Sequence, residues 1–340
     1  MNFSSSPVSG RLHSQRGWGV ILELSYINAN DRRSQMSLTS RINEVGSLTK
    51  KYFEQKLPNT KPFKSEWRSS GDATIVPTGQ VSWTLIGTAV DYRIRYFFTN
   101  TPPDRFVARH AGKYYPHLRD SYEAFSDSLT SFIEMLNPFN RTLALSEEVE
   151  LAQYCYVLAL YEHIARSAAK SNAISKSVSP LSPIEQLNLC IKEDIDDLVQ
   201  LGRAASEHFR PFYGERFIPN PTFARSTDVG GADADFIVGN CLMDIKTTKS
   251  PYLSTNNIYQ LVGYAILDTD DRYEIKEIGF YKSRTPSIVK WDLDAAISVM
   301  SDGKQTITSL RDSFPLEAIE KPFTEEDVER DLEAIFGPLS

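Results

Sequence analysis

A two-residue turn between two apolar runs is the feature of this sequence that most constrains its fold. Residues 238–241 read Val-Gly-Asn-Cys, and Gly and Asn tolerate the positive φ angles that a tight hairpin requires. The turn predicts two antiparallel strands and fixes which of their residues face each other. The predicted pairs are Val238 with Cys241, Ile237 with Leu242, Phe236 with Met243, Asp235 with Asp244, and Asp233 with Lys246.

The two faces of this hairpin differ because side chains alternate along a strand. One face is wholly apolar and is predicted to be core; it carries Ala234, Phe236, Val238, Cys241, Met243 and Ile245. The opposite face begins apolar at the turn and becomes charged away from it; it carries Asp233, Asp235, Ile237, Leu242, Asp244 and Lys246.

The charged end of the hairpin is predicted to place Asp235 opposite Asp244. Directly opposed side chains have Cβ atoms roughly 5 Å apart, and two like charges at that separation destabilise a sheet. A divalent cation bound by both carboxylates would remove the repulsion, and hard oxygen ligands select Mg²⁺ or Mn²⁺. Lys246, on the same face, is suited to orient a water molecule or to stabilise a phosphate. The alternative is a solvated face that carries a small ion-pair cluster.

A helix is predicted over about residues 255–268, directly after the hairpin. Within it Gln260 and Tyr264 are four residues apart, so they project from one face of the helix. Alone, this pattern is also typical of an ordinary amphipathic helix with a surface Gln and a half-buried Tyr. Its position after the Asp and Lys residues of the hairpin favours a functional interpretation.

D…D-x-K on a hairpin, followed by Q-x-x-x-Y on a helix, resembles the PD-(D/E)XK nuclease superfamily. The likeness is greatest to the branch of RecB-type nucleases, lambda-type exonucleases and CRISPR-adaptation nucleases, and it covers about residues 217–291. The resemblance implies an α/β fold with a restriction-endonuclease-like core, in which a mixed central β-sheet is flanked by helices. It also implies roles for Asp235 and Asp244 as metal ligands, Ile245 as a backbone-carbonyl ligand, Lys246 as the catalytic lysine, and Gln260 and Tyr264 as a pair near the metal or the nucleic-acid backbone.

The same branch has an upstream helix with a G-x-x-x-H or G-x-x-x-E pattern, for which residues 87–91 are the best match. The match places Asp91 where His or Glu is usual, so this metal ligand stays open between Asp91 and Glu207. Asp233 competes with Asp235 for the role of first aspartate, and Asp235 is preferred because it faces Asp244.

The rest of the chain predicts a large helical insertion in the nuclease core. The predicted division is 1–118 for the first part of the core, 119–212 for the helical insertion and 213–340 for the catalytic part. Other predicted elements are strands at 17–27, 72–84, 273–284 and 286–293, a loop at 99–117, and helices at 37–57, 85–98, 120–136, 146–170, 182–209 and 324–336. The helix at 182–209 is predicted to begin with a capping box of Ser182 and Glu185, and to bury Ile184 and Ile191.

Composition limits the partners of the chain. A net charge of −7 argues against a uniformly basic surface but allows a local basic groove; the predicted phosphate contacts are Arg93, Arg95, residues 109–115 and Lys249. The cysteines lie far apart, which excludes a four-cysteine zinc or iron–sulfur site within one chain. The absence of a signal peptide and of an apolar run of about 18 residues predicts a cytoplasmic protein with no membrane partner.

The predicted function is a Mg²⁺- or Mn²⁺-dependent nuclease acting on DNA, exonuclease-like, in defence, recombination or repair. The expected partners are DNA, a second copy of the chain, or a separate motor protein, since the sequence has no P-loop. One alternative is a nuclease-fold protein that binds DNA or a partner without cutting. Another is an interaction subunit in which the helical block does the main work.

Overall fold

The computed structural model describes residues 37–71, 73–100, 106–166, 176 and 178–315. Five strands of these residues form one mixed sheet in sequence order: β1 (Phe217–Pro219), β2 (Phe236–Val238), β3 (Cys241–Lys246), β4 (Glu277–Lys282) and β5 (Ser287–Asp292). Strands β3 and β4 are parallel, and the other neighbours are antiparallel. A parallel pair needs a crossover connection, which helix α10 (Thr255–Leu267) supplies.

Helices surround the sheet. In chain order those of the described ranges are α1 (Leu38–Asn43), α2 (Leu48–Lys56), α3 (Lys61–Ser69), α4 (Trp83–Phe98), α5 (His110–Tyr114), α6 (Arg119–Leu136), α7 (Leu145–Arg166), α8 (Pro183–Leu187), α9 (Lys192–Phe209), α10, α11 (Leu293–Ser301) and α12 (Ile307–Ser313). Short 3₁₀ turns lie at Val107–Arg109, Pro116–Leu118, Arg210–Phe212 and Thr227–Val229.

Both faces of the sheet are buried, each by its own apolar core. Helices α4, α6, α7 and α9 pack on the face that carries Phe236, Val238, Cys241 and Met243. Helices α1, α2, α3, α10, α11 and α12 pack on the face that carries Ile237, Leu242, Ile278 and Phe280. The sheet is therefore the middle layer of three, and the helical block shares a core with it.

The predicted hairpin register is confirmed from Val238–Cys241 to Phe236–Met243. The ladder ends at Phe236–Met243, so the predicted pairing of Asp235 directly opposite Asp244 is not part of it. The pairing of Asp233 with Lys246 is wrong, because Asp233 bridges to Thr222 on the opposite side. The backbone bends at Asp235. The bend resets the alternation of side chains, so Ala234 packs in the core with Ile237 and Leu242 instead of with Phe236.

Two helices predicted as continuous are each broken in two. The helix at 37–57 divides at Gly46, which has φ 90 and so takes a left-handed conformation that glycine adopts at low cost. The helix at 182–209 divides into α8 and α9, which leaves Ile184 73% exposed and Ile191 50% exposed. The capping box of Ser182 and Glu185 is confirmed.

Other predictions had mixed outcomes. The helices at 85–98 and 120–136, and the strands at 273–284 and 286–293, are confirmed as α4, α6, β4 and β5. The strand at 72–84 is wrong, because its described residues are irregular up to the start of α4 at Trp83. The loop at 99–117 instead contains helix α5. The strand at 17–27 and the helix at 324–336 lie outside the described residues.

Two further sequence predictions concern cysteines and membranes. The three cysteines are free thiols, with Cys155 and Cys241 buried and Cys190 partly buried. Within the described ranges, no helix combines the length and apolar character needed to cross a bilayer.

A glycine allows two helices of the block to meet closely. A Cβ atom added to Gly202 of α9 would lie 2.5 Å from Oε1 of Glu148 on α7. Glu148 is buried in an ion pair with Arg93 of α4, whose Nε lies 2.6 Å from the same oxygen. Helices α4, α7 and α9 are therefore joined by a buried charged contact that needs glycine at this position.

Candidate active site

Three aspartates in and just before the hairpin line one cavity. Asp244 lies within β3 and is only 5% exposed, while Asp235 lies at the bend just before β2. The Oδ2 atom of Asp235 accepts a hydrogen bond of 2.6 Å from the backbone N–H of Ile245, which holds its carboxylate against the neighbouring strand. We name this space, of about 500 Å³, the carboxylate cavity; Asp233, Asp235, Asp244, Gln260 and Tyr264 line it.

Lys246 is paired with Asp244. Its Nζ atom lies 2.7 Å from Oδ2 of Asp244, because residues two apart on a strand share a face. Burial lowers the pKa of Lys246, but the nearby carboxylates of Asp244 and Asp235 outweigh burial and raise its pKa above the usual value. The side chain is therefore a fixed ammonium ion at neutral pH.

Helix α10 brings Gln260 and Tyr264 to the wall of the carboxylate cavity. The side-chain amide of Gln260 donates hydrogen bonds of 2.8 Å to the hydroxyl of Tyr264 and of 2.8 Å to the hydroxyl of Thr39 on α1. Burial, followed by the charge of Asp244, raises the pKa of Tyr264, so its hydroxyl keeps its proton. The prediction that Gln260 and Tyr264 share a helix face is confirmed.

Thr39 reaches the site because α1 packs closely on α10. A Cβ atom added to Gly263 of α10 would lie 2.9 Å from Cδ2 of Leu38 and 3.2 Å from Cζ of Phe53. Glycine at this position therefore lets α1 and α2 approach α10 and bring the Thr39 hydroxyl to Gln260. Sequence reasoning missed Thr39, since nothing in the pattern links residues so far apart.

Asp91 lines a second space, of about 330 Å³, together with Gly87, Arg95, Asn220 and Asp235. We name it the upstream cavity; Arg166, Asp233 and Asp235 line both cavities. The Asp91 carboxylate forms a two-pronged ion pair with the Arg95 guanidinium one turn along α4. The i, i+4 spacing of Asp91 and Arg95 is a sequence signal for this pair.

Asn220 connects the upstream cavity to the hairpin. Its side-chain oxygen accepts a hydrogen bond of 2.7 Å from Arg95, and its backbone N–H donates to the carbonyl of Asp235 at 3.0 Å. Its φ of 44 lies in the left-handed region, which asparagine tolerates better than most residues. The Asn-Pro dipeptide at 220–221 signals a turn but not these contacts.

The end of helix α7 adds a cation that sequence reasoning missed. The Nε atom of Arg166 donates to Oε1 of Glu162 at 2.8 Å, and the Arg166 side chain is 58% exposed. Glu162 also accepts a hydrogen bond from the hydroxyl of Tyr92. Arg166 therefore presents a positive charge beside both cavities.

The pKa of Asp235 is shifted by burial and by the neighbouring carboxylates. Burial raises the pKa of Asp235 well above its usual value, and the charges of Asp244 and Asp91 raise it further. The N–H of Ile245 and the Lys246 ammonium act in the opposite direction but do not cancel the shift. The metal-free site therefore favours the protonated, neutral form of Asp235, and a cation bound there would favour the carboxylate.

Three residues named from the sequence are held in other contacts or lie outside the two cavities. Arg93 is 1% exposed and paired with Glu148, so its prediction as a phosphate contact is wrong. Arg95 lines the upstream cavity, but it is 3% exposed and its guanidinium is bound to Asp91 and Asn220, so its role as a phosphate contact stays a prediction. Glu207 is exposed on α9 and lines neither cavity.

The donor atoms around Asp235 fit a divalent cation in part. Among the residues with assigned structure, no three His, Cys, Asp or Glu side chains form a group arranged to hold a metal. Mg²⁺, however, is commonly held by one or two carboxylates, with water and substrate phosphate completing its ligands. Asp235 and Asp244 supply such a pair, whereas Asp91 is held by Arg95.

Asp235→Asn is expected to make the metal-free protein more stable relative to the wild type, and this difference in the free energy of unfolding should grow as the pH rises. The raised pKa of folded Asp235 means that the unfolded chain loses this proton first, so wild-type stability falls from about pH 4 up to the folded pKa. The substitution removes this loss, which corresponds to about 1.4 kcal/mol for each pKa unit. Urea unfolding at pH 5 and pH 8 in EDTA measures the effect.

The exposed Asp127 of α6 provides the matched control, because Asp127→Asn removes the same side-chain charge outside the carboxylate cavity. Equal stability differences for Asp235→Asn at pH 5 and pH 8 would show that Asp235 titrates normally. Mg²⁺ should raise the unfolding temperature of the wild type more than that of Asp235→Asn.

Comparison of the chain with protein-family models, curated proteins and solved structures gave no match. The class defined by the described residues is an α/β protein with a five-stranded mixed sheet. Its distinguishing feature is the carboxylate cavity, in which the buried Asp244 is paired with a lysine ammonium.

Proposed function

We propose that this protein is a metal-dependent nuclease that hydrolyses phosphodiester bonds in DNA, with a restriction-endonuclease-like core. The observation that carries the proposal is the meeting of Asp235 and Asp244 in one cavity, with Lys246 paired to Asp244 and the Gln260–Tyr264 pair on the wall. The mixed sheet flanked by helices is the arrangement that the resemblance to PD-(D/E)XK nucleases implies.

Asp235 and Asp244 are the residues that would hold Mg²⁺ or Mn²⁺, and the backbone of Ile245 lies beside them. When bound, the cation would lower the pKa of a water molecule and offset charge on the scissile phosphate. The protein contributes rigid placement, because Asp235 is fixed by the Ile245 N–H and Asp244 lies within a central strand. Rigid support is what a catalytic constellation needs.

Lys246 supplies a compact positive charge next to the carboxylates. A fixed cation aimed at the position where negative charge develops stabilises the transition state. Gln260 and the protonated hydroxyl of Tyr264 form a hydrogen-bonded pair that positions groups around the cavity.

The test is cleavage of labelled single- and double-stranded DNA, linear and circular, with Mg²⁺, Mn²⁺ or EDTA. We expect cutting that requires the cation and falls about 100-fold or more in Asp244→Asn, because a ligand to the cation and a fixed charge are lost. The predicted exonuclease-like action requires that circular DNA resist cutting.

Glu277→Gln provides the matched control. Glu277 pairs with Lys290 at 2.8 Å on the same sheet, but both side chains are partly exposed and lie outside the two cavities. This variant should cut like the wild type. Cation-independent cutting, or equal loss in both variants with retained circular dichroism, would contradict the proposal.

A second candidate is a protein that binds DNA or a protein partner without cutting. It is favoured by the ion pair between Asp91 and Arg95. The Asp91 carboxylate was predicted to bind the metal and is held by the arginine instead. DNA binding that persists in the wild type while no cation supports cutting would favour this candidate.

A further inference from the structure

A short helix that lines the carboxylate cavity carries two aromatic rings. His110 and Tyr114, at either end of α5, line the cavity together with Asp244 and Gln260. Their rings lie 6.0 Å apart between centroids with an angle of 26° between planes, which is a stacked arrangement. We name this pair the aromatic wall.

The aromatic wall is not part of either core. Tyr114 is 47% exposed, whereas the next residue, Tyr115, packs against the core of the helical block. A half-exposed tyrosine stacked on a histidine offers a flat apolar surface to a molecule in the cavity. Stacking on a flat ring suits a nucleic-acid base, because every base has a π-face.

Cations surround the aromatic wall. The Nζ atom of Lys113 lies 5.9 Å from the centroid of the Tyr114 ring. An adjoining groove of about 620 Å³ is lined by three cations, Arg109, Lys113 and Arg119, and by two carboxylates, Glu123 and Asp127. Arg166 adds a positive charge where the two cavities meet.

The protonation state of His110 suits the aromatic wall to stacking on a base. Burial, then the neighbouring charges of Arg109 and Lys113, lower the pKa of His110. The imidazole is therefore neutral at neutral pH, and the flanking lysine and arginines supply the charge that attracts phosphate. Aromatic rings beside cations are the combination that binds single strands with little sequence preference.

We propose that the substrate is single-stranded nucleic acid, and that the His110–Tyr114 stack holds an unpaired base while the backbone passes the carboxylates. This inference rests on the proposed nuclease function of the same cavity. Bases inside a duplex are already stacked on each other and present only their edges in the grooves, so the aromatic wall selects unpaired bases.

The test is binding by fluorescence anisotropy in EDTA, where a cation-dependent nuclease does not cut. The probes are a labelled DNA strand of about 20 nucleotides, long enough to cover one binding site, the same sequence as RNA, and the DNA duplex. Tyr114→Ala should weaken single-strand binding about tenfold or more, since stacking on one ring contributes that much per base. Duplex binding should not change, and the DNA and RNA probes identify which strand chemistry is preferred.

Two further variants complete the test. Tyr114→Phe keeps the ring and should bind like the wild type. Tyr213→Ala removes another exposed tyrosine, which lies against Phe139 and lines a different cavity next to Arg141 and Arg210, and it should also bind like the wild type. Circular dichroism checks that each variant folds.

Unchanged single-strand binding by Tyr114→Ala, equal loss for strand and duplex, or no single-strand binding by the wild type would overturn the inference. Its failure is separable from failure of the nuclease proposal. If Tyr114→Ala cuts duplex DNA like the wild type, the nuclease proposal stands and the role of the aromatic wall is rejected. If single-strand binding depends on Tyr114 but no cation supports cutting, the aromatic wall stands and the nuclease proposal is rejected.

Discussion

Lys246→Met is expected to reduce the rate of DNA cleavage about 100-fold to 1,000-fold, the usual effect of removing one fixed charge that stabilises a transition state. The lysine is a fixed ammonium whose Nζ lies 2.7 Å from Oδ2 of Asp244. The loss should appear in kcat more than in DNA affinity, because the charge acts at the reacting phosphate. Single-turnover cleavage with saturating DNA and Mg²⁺ measures it.

Lys246→Arg keeps the charge but spreads it over a planar group, so we expect only partial recovery of the rate. The matched control is Lys290→Met, which removes a lysine from the exposed pair with Glu277 and should cut like the wild type. A folded Lys246→Met variant that cuts at the wild-type rate would show that this lysine has no part in catalysis.

Arg284→Met is expected to destabilise the fold by about 3–5 kcal/mol, which is typical when one partner of a buried ion pair is removed. Arg284 follows β4 and forms a two-pronged ion pair with Asp197 of α9, with one bond of 2.6 Å between Nη2 and Oδ2. Both side chains are completely buried. The substitution leaves the Asp197 carboxylate without its cation and loosens the helical block from the sheet.

Urea unfolding of Arg284→Met, Asp197→Leu and the double variant measures the effect. The double variant should lose less stability than the sum of the single changes, since neither charge is then left alone. Lys192→Met breaks an exposed ion pair with Asp196, one turn along the same helix, and should have little effect. A change for Arg284→Met as small as that of Lys192→Met would disprove the structural role of the pair.

Local patterns were sufficient to predict the hairpin and the helix after it. The Gly-Asn turn set the register from Val238 to Phe236, and the spacing of Gln260 and Tyr264 put both on one face of α10. Turn chemistry and periodicity act over a few residues, so a single sequence contains all of this information. The prediction failed at Asp235, because a bend breaks the alternation on which the pairing of Asp233 was based.

Contacts between distant segments were beyond the reach of the same reasoning. Asn220 and Arg166 reach the cavities through the turn before the hairpin and the end of α7, and no local pattern brings them there. Ile184 and Ile191 fit an apolar stripe, but the predicted helix is interrupted between α8 and α9, and both side chains are exposed. Periodicity describes one element at a time and does not show where an element ends against its neighbours.

The carboxylate cavity is assembled from separate segments, from Thr39 on α1 to Tyr264 on α10. Proteins are synthesised from the N-terminus, and domains generally fold as units. A chain still on the ribosome therefore lacks the complete cavity until Tyr264 has been made. If the protein cuts DNA as proposed, chains that end before Tyr264 would lack a complete site.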